Sequence, residues 1–191
     1  MRRREFIILL SDAAAWVSPA RAQEPRKVIG VLTGQSGLGF FADVALPAFL
    51  QGLRDAGFVE GRNISIEIHR ADGHYDRLPS LAAELVRRDV AAIFANDVPA
   101  AFAAKAATET IPIVFVIGAD PVKVGLVTSF NRPGGNITGV GLLGLELEGK
   151  RLGVLHQFLP GTTPIGVLVN PANPAADLQL HELQKTAGVI K

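Results

Sequence analysis

The sequence predicts an α/β fold built on a parallel, doubly wound sheet. Two observations lead there. Short runs rich in Val and Ile recur along the chain, as strands buried on both faces require. Between them lie segments with apolar residues at helical spacing, joined by connections of a few residues. That alternation implies parallel strands, right-handed crossovers and helices laid on the sheet.

The first strand candidate is Lys27-Val28-Ile29-Gly30-Val31-Leu32-Thr33. A Gly-rich loop follows, Gly34-Gln35-Ser36-Gly37-Leu38-Gly39. A helix with Leu46, Phe49, Leu50 and Leu53 on one face then runs to Gly57, a suitable C-terminal stop. Gly61-Arg62-Asn63 turns the chain into Ile64-Ser65-Ile66-Glu67-Ile68, whose period of two marks a half-exposed or edge strand. Asp76 is the expected N-cap of a helix carrying Leu78, Leu81, Ala82, Leu85 and Val86. Arg87-Arg88 would complement its dipole.

Val90-Ala91-Ala92-Ile93-Phe94-Ala95 reads as a short buried strand. Asn96-Asp97-Val98-Pro99 follows, with Pro near the first position of an Ala-rich helix that ends near Thr108. Ile113-Val114-Phe115-Val116-Ile117 is the next strand and exits through Gly118-Ala119-Asp120-Pro121. In such sheets ligands bind beyond the carboxyl ends of the strands, so the loops after these strands are the ones to watch.

Residues 131–140, "NRPGGNITGV", hold a strong Pro-Gly-Gly turn and a short β-type run. After it the alternation resumes. Residues 146–158 read as a helix with Leu147, Leu152, Leu155 and Phe158. Ile165-Gly166-Val167-Leu168-Val169 reads as a buried strand, Asn170-Pro171-Ala172-Asn173-Pro174 as its exit loop, and residues from Ala175 to Thr186 as a last helix. The expected organisation is a first lobe over 23–137 and a second over 138–191. Two helices and one full strand are too little for a covered parallel lobe, so the second lobe is expected to be incomplete, with an unpaired edge that invites association.

Composition narrows the function. A net charge of +1 with no basic stripe argues against a nucleic-acid partner. The absence of cysteine excludes disulfides, a Cys nucleophile and a thiolate metal site. The start "MRRREFIILLSDAAAWVSPARAQ" has a basic head, an apolar centre and an Ala-x-Ala site, the layout of a secretory signal peptide over 1–22 with cleavage after Ala22. The apolar centre is too short for a spanning helix. Arg3-Arg4-Glu5-Phe6-Ile7 also resembles a twin-arginine signal, an ordinary basic head being the alternative. Cleavage would leave 15 of 19 basic and 16 of 18 acidic side chains, a net charge of −1.

Catalytic motifs fit poorly. The Gly-rich loop runs G-x-x-G-x-G, where a dinucleotide fingerprint needs G-x-G-x-x-G, and no G-K-[ST] appears. Ser36 lacks the second glycine of a hydrolase elbow. His69 and His74 straddle a turn, without the spacing of a helical zinc pair. Asn96, Asp97 and Asp120 fall at strand ends, where Asn offers donor and acceptor and Asp can hold an ammonium or hydroxyl group. Helix capping is the plainer role for both aspartates.

The stretches "FLQGLRDAGFVEGRNISIEIHRADGHYDRLPSLAAELVRRDVAAIFA", "AAKAATETIPIVFVIGADPVKVGLVTSFNRPGGNITGV" and "GVLVNPANP" resemble bacterial ABC-transporter substrate-binding proteins of the TrpX-like kind. The resemblance covers nearly the whole chain. It implies two α/β lobes of the type I periplasmic-binding-protein fold and a small molecule, an amino acid in some members, held between them. It also implies periplasmic location, delivery to the membrane permease of an ABC importer, no enzyme activity and no cofactor. By position, the cleft would be lined by Gln35, Ser36, Asn96, Asp97, Ala119 and Asp120, with Leu143, Gly144 and Asn170 facing them. The turn at 131–140 would be the exit from the first lobe. Two departures stand out. Members usually carry small or hydroxyl residues where Asn96-Asp97 stands, and they run well past residue 191, so binding by this chain is left open. The competing reading is a nucleotide- or cofactor-binding enzyme on a doubly wound sheet.

Overall fold

The computed structural model describes residues 26–37, 39, 41–142, 144–159 and 164–190. The expected signal peptide over 1–22 and the site candidate Leu143 lie outside the described residues.

The elements follow in the order β1 (Lys27–Thr33), α1 (Leu46–Asp55), β2 (Ile64–Arg70), α2 (Leu78–Arg87), β3 (Ala92–Ala95), α3 (Val98–Ala107), β4 (Ile113–Ile117), β5 (Ile137–Gly141), α4 (Glu148–Phe158) and α5 (Ala176–Ala187). The strands form one sheet in the order β2-β1-β3-β4-β5, parallel throughout. This is the α/β class that the alternation predicts, and β2 takes the edge position its period of two implies.

Alternation along the strands divides the core in two. Leu32, Ile93, Ala95, Ile113, Phe115 and Ile117 turn to the face covered by α2 and α3. Val31 and Phe94 turn to the other face, where they meet Phe41 and α1. There Phe49 stacks on Phe94 with ring centroids 4.1 Å apart and planes at 5°. Helix α2 sits close to β1 because Gly30 has no side chain: a Cβ there would lie 2.7 Å from Leu85 Cδ2. Cover is unequal, since α1 spans β2, β1 and β3 but leaves Val114 and Val140 exposed on β4 and β5.

The 131–140 stretch is built for structure. Gly134 and Gly135 have φ of 82° and 64°, the left-handed region that favours glycine. Asn136 donates to the carbonyls of Thr108 (3.1 Å) and Ile111 (2.7 Å), pinning the entry of β5 to the α3–β4 connection. Gly139 lies against β4, where a Cβ would come 2.1 Å from the Phe115 carbonyl oxygen. The sheet extends through β5 to Gly141, four residues beyond the position where the sequence reading ends the first lobe.

Three local expectations need correction. Asp76 does not cap α2: Tyr75–Arg77 form a 3-10 turn that runs into the helix, and Arg77 is already helical at φ −81°, ψ −20°, so no extended residue precedes the first turn. Residues 165–169 are not a buried strand. They are extended and unpaired, with Leu168 98% exposed, because no neighbouring strand among the described residues offers a ladder. The apolar stripe expected on 146–158 is not a buried face either: Leu147, Leu155 and Phe158 are exposed, while α4 packs against α5 through its other residues.

Candidate functional site

The loops after β1, β3 and β4 meet at one end of the sheet, and Asp97 ties the first two together. It is the N-cap of α3, with extended backbone at φ −157°, and its Oδ1 accepts from Ala100 N at 2.8 Å. Its Oδ2 accepts from Thr33 Oγ1 at 2.9 Å and from Gly34 N at 2.6 Å. Burial raises the Asp97 pKa above the ordinary carboxylate value, and these hydrogen bonds, which favour the charged form, only partly offset it. Gly34 N, the amide that opens the Gly-rich loop, is thereby occupied by the chain's own carboxylate.

Beside this strut lies a cavity of about 260 Å³, lined by Gln35, Asn96, Asp97, Val98, Val116, Gly118, Ala119, Leu142, Leu145, Asn173, Ala175 and Gln179. Its walls are apolar, and its polar groups are mostly side-chain amides. Asn96 is 5% exposed, and neither its Oδ1 nor its Nδ2 has a hydrogen-bond partner. Its backbone N donates to Leu32 O, as the ladder continues past β3.

Of the expected cleft residues, the structure brings Gln35, Asn96, Asp97 and Ala119 to this cavity. Ser36 is exposed and outside the lining. Asp120 is buried, but its Oδ1 accepts from Val122 N (2.8 Å) and Lys123 N (3.1 Å), which makes it a turn residue. Gly144 packs on Gly118, and its neighbours Leu142 and Leu145 reach the cavity instead. Asn170 is also outside the lining. Its Oδ1 accepts from Ala172 N at 3.0 Å, and its side chain also hydrogen-bonds Tyr75.

Tyr75, Asn173 and Gln179 are the polar residues that sequence reasoning missed. Tyr75 lies over Gly34, where a Cβ would meet its ring at 2.7 Å. Burial and the nearby Asp97 carboxylate raise its pKa, against the opposing Asn170 hydrogen bond. Asn173 belongs to the same Asn-Pro-Ala-Asn-Pro loop as Asn170, and it lines the cavity where Asn170 does not. Nothing in the sequence marks Gln179, which reaches the cavity from α5.

A larger cavity, about 440 Å³, lies between α4, α5 and the unpaired 165–167 run. Its walls are chiefly Leu, Ile and Val with His156 and Gln184. It is away from the strand ends and gathers fewer polar groups, so the smaller cavity is the better ligand site. His69 faces Glu84 at 3.4 Å and not His74. Among the described residues no cluster of three His, Asp or Glu could hold a metal ion.

Comparison with known proteins places this geometry among relatives. The sequence profile of a family described as "ABC transporter substrate binding protein" matches residues 42–190. A tyrosine-binding protein of Clostridioides difficile (strain R20291) is 33% identical over 145 residues, 76% of this chain and 41% of the relative. A conserved domain protein from Vibrio cholerae superposes with a TM-score of 0.76 at 26% identity, over 86% of this chain and 54% of that one. An ABC domain from Streptococcus pneumoniae, solved in complex with L-Trp, superposes with a TM-score of 0.69 at 22% identity, with the same coverage. The chain spans about half the length of the relatives it matches.

Proposed function

This chain belongs to the ABC transporter substrate-binding protein family, and we propose that it binds a small-molecule solute, an amino acid first among candidates, in the cavity beyond β3 and β4. The carrying observation is the cavity itself. It lies outside the carboxyl ends of parallel strands, has apolar walls with several amide residues, and is lined from later in the chain by Asn173, Ala175 and Gln179. Its volume suits a metabolite smaller than a drug-sized ligand. The tyrosine-binding relative supports an amino acid.

In this reading the chain is exported through the leader over 1–22, works outside the cytoplasm without catalysing a reaction, and passes its solute to the permease of an ABC importer. Residues 138–191 contribute to a second lobe that faces the first across the cavity, with Gln35, Asn96, Asp97 and Ala119 on one side. Ser36, Asp120, Gly144 and Asn170 shape the surrounding loops.

A thermal-melt screen of the chain against amino acids, sugars and nucleosides tests the proposal. Ligand at a hundred times its Kd stabilises by about 2.7 kcal/mol, which raises Tm by roughly 5–10 °C in a chain this long. A rise with amino acids is expected. A rise with nucleotides alone, or with no solute, contradicts it.

A further inference from the structure

We propose that the unpaired run 165–169 joins a second copy of this chain, strand against strand, and that the protein pairs through this edge into a closed two-fold dimer. The inference does not depend on the solute-binding reading, because the run borders the larger cavity and not the one at the strand ends.

The run is a strand that lacks a neighbour. Ile165-Gly166-Val167-Leu168-Val169 is extended, and none of its backbone groups hydrogen-bonds another described residue. Natural edge strands keep neighbours off with charge, proline or a bulge. At the edge of the sheet β2 carries such guards: Glu67, His69 and Arg70 lie on it, with Arg88 paired to Glu67 and Glu84 facing His69 at 3.4 Å. The run 165–169 carries none. Pro164 and Pro171 stand just outside it, and no Asp, Glu, Lys or Arg occurs from Leu152 to Ala176. Its five residues are free to donate and accept along an edge, and no charge opposes a like surface.

The face also matches itself. An antiparallel pair centred on Val167 sets Ile165 against Val169 of the partner subunit and Val167 against its own copy. It places the nearly fully exposed Leu168 beside the bare Gly166 of the partner subunit. Large meets small twice, as an isologous contact requires. Ile165 and Val167 stay over the cavity between α4 and α5 in each copy. The area is adequate as well. Val154, Leu155, Phe158, Val167, Leu168 and Val189, on or next to α4, α5 and the run, are between 44% and 98% exposed. Together they present on the order of 400 Å² of apolar surface. In an interface about 60% apolar, covering it on both copies buries roughly 1,300 Å² in all, within the range of stable contacts.

Sedimentation velocity of the chain over roughly 1–300 µM tests this, and a monomer–dimer equilibrium with no larger species is expected. In Leu168→Lys the dimer should dissociate at least about tenfold more readily, because pairing brings two ammonium groups to one face. In dilute solution the variant should melt with the parent. The chain has no cysteine, so Val167→Cys adds a single thiol. The centred pair holds the two Cα atoms about 5 Å apart, within disulfide range. Mild oxidation should therefore give a covalent dimer with Val167→Cys and little with Glu60→Cys, whose side chain stands exposed before β2. A chain that stays monomeric throughout overturns the inference. So does association that survives Leu168→Lys, which would come from another part of the chain, and so does open-ended growth past the dimer. Val167→Cys cross-linking no faster than Glu60→Cys overturns the strand pairing itself.

Discussion

Asp97 should hold the site's two principal loops together, and removing its carboxylate tests that directly. Asp97→Ala strips the acceptor from three donors: Ala100 N, Gly34 N and Thr33 Oγ1. The lost N-cap costs about 1 kcal/mol. The lost charge-assisted bond to Gly34 costs about 1.5–3 kcal/mol more. The Thr33 hydroxyl can turn to other acceptors and is not added. A total near 2.5–4 kcal/mol lowers Tm by roughly 5–16 °C at this chain length. Asp97→Asn separates the two roles. Its Oδ1 still caps α3, but its NH₂ faces the Gly34 N–H, donor against donor, so it should melt between parent and Asp97→Ala. Circular-dichroism melts at neutral pH read the order. If both variants melt within about 1 °C of the parent, where surface substitutions fall, the strut carries no load and the reasoning fails. The pH dependence has a definite sign. The folded-state pKa is raised above the ordinary 3.8, so the native state holds this proton more tightly than the unfolded chain. The proton-linked part of Asp97's contribution is therefore fully present below pH 3.8 and is lost as pH rises through the folded value, which leaves the hydrogen-bond part worked above. The stability advantage of the parent over Asp97→Asn should be widest in acid and narrow towards neutrality.

Three further substitutions probe the frame. Gly139→Ala puts a Cβ 2.1 Å from the Phe115 carbonyl, which only separation of β5 from β4 can relieve. It should cost about 3 kcal/mol or more, read as the urea midpoint, and an unchanged midpoint contradicts the close approach. Asn136→Ala abandons the carbonyls of Thr108 and Ile111 and should cost about 1–3 kcal/mol by the same measurement. Leu168→Lys alters a side chain that is 98% exposed, so Tm should hold to within about 0.5 kcal/mol equivalent while concentration-dependent association in sedimentation velocity falls. A drop of several degrees would show that Leu168 is covered.

The sheet was legible because both of its signals are local. Apolar runs such as Ile113–Ile117 say strand whatever lies beside them, and the period of two over Ile64–Ile68 says half-exposed or edge. Asp97 and Pro99 announce α3 in three residues. The second part was less legible because strand formation there depends on partners. Residues 165–169 have the apolar composition of a buried strand, but composition cannot supply a neighbour, and without one the run stays extended and exposed. The site divided in the same way. Asn96 and Asp97 were marked by their place at a strand end, and Gln35 and Ala119 by the family resemblance; all four line the cavity. Gln179 comes from a helix and Tyr75 from the turn after β2, and only tertiary packing brings the first to the cavity and the second over Gly34. Asp97 was located correctly, but its hydrogen-bond partners, which make it a strut, sit 63 and 64 residues earlier in the chain.

The cavity's position follows from the strand order. In β2-β1-β3-β4-β5 the connections run outward from β1 in opposite directions, towards β2 through α1 and towards β3 and β4 through α2 and α3. That is why α1 and the pair α2–α3 lie on opposite faces, and why the loops after β1 and β3 diverge at a switch point between those two strands. Such a crevice is where ligands of open α/β sheets usually sit. Here Asp97 reaches across it from β3 to Thr33 and Gly34 of β1 and takes up the loop amide that an anionic ligand would use. The crevice is bridged by the chain's own carboxylate, and the open space is displaced by one strand, to the ends of β3 and β4. Asp97 fixes the loops on either side of that space.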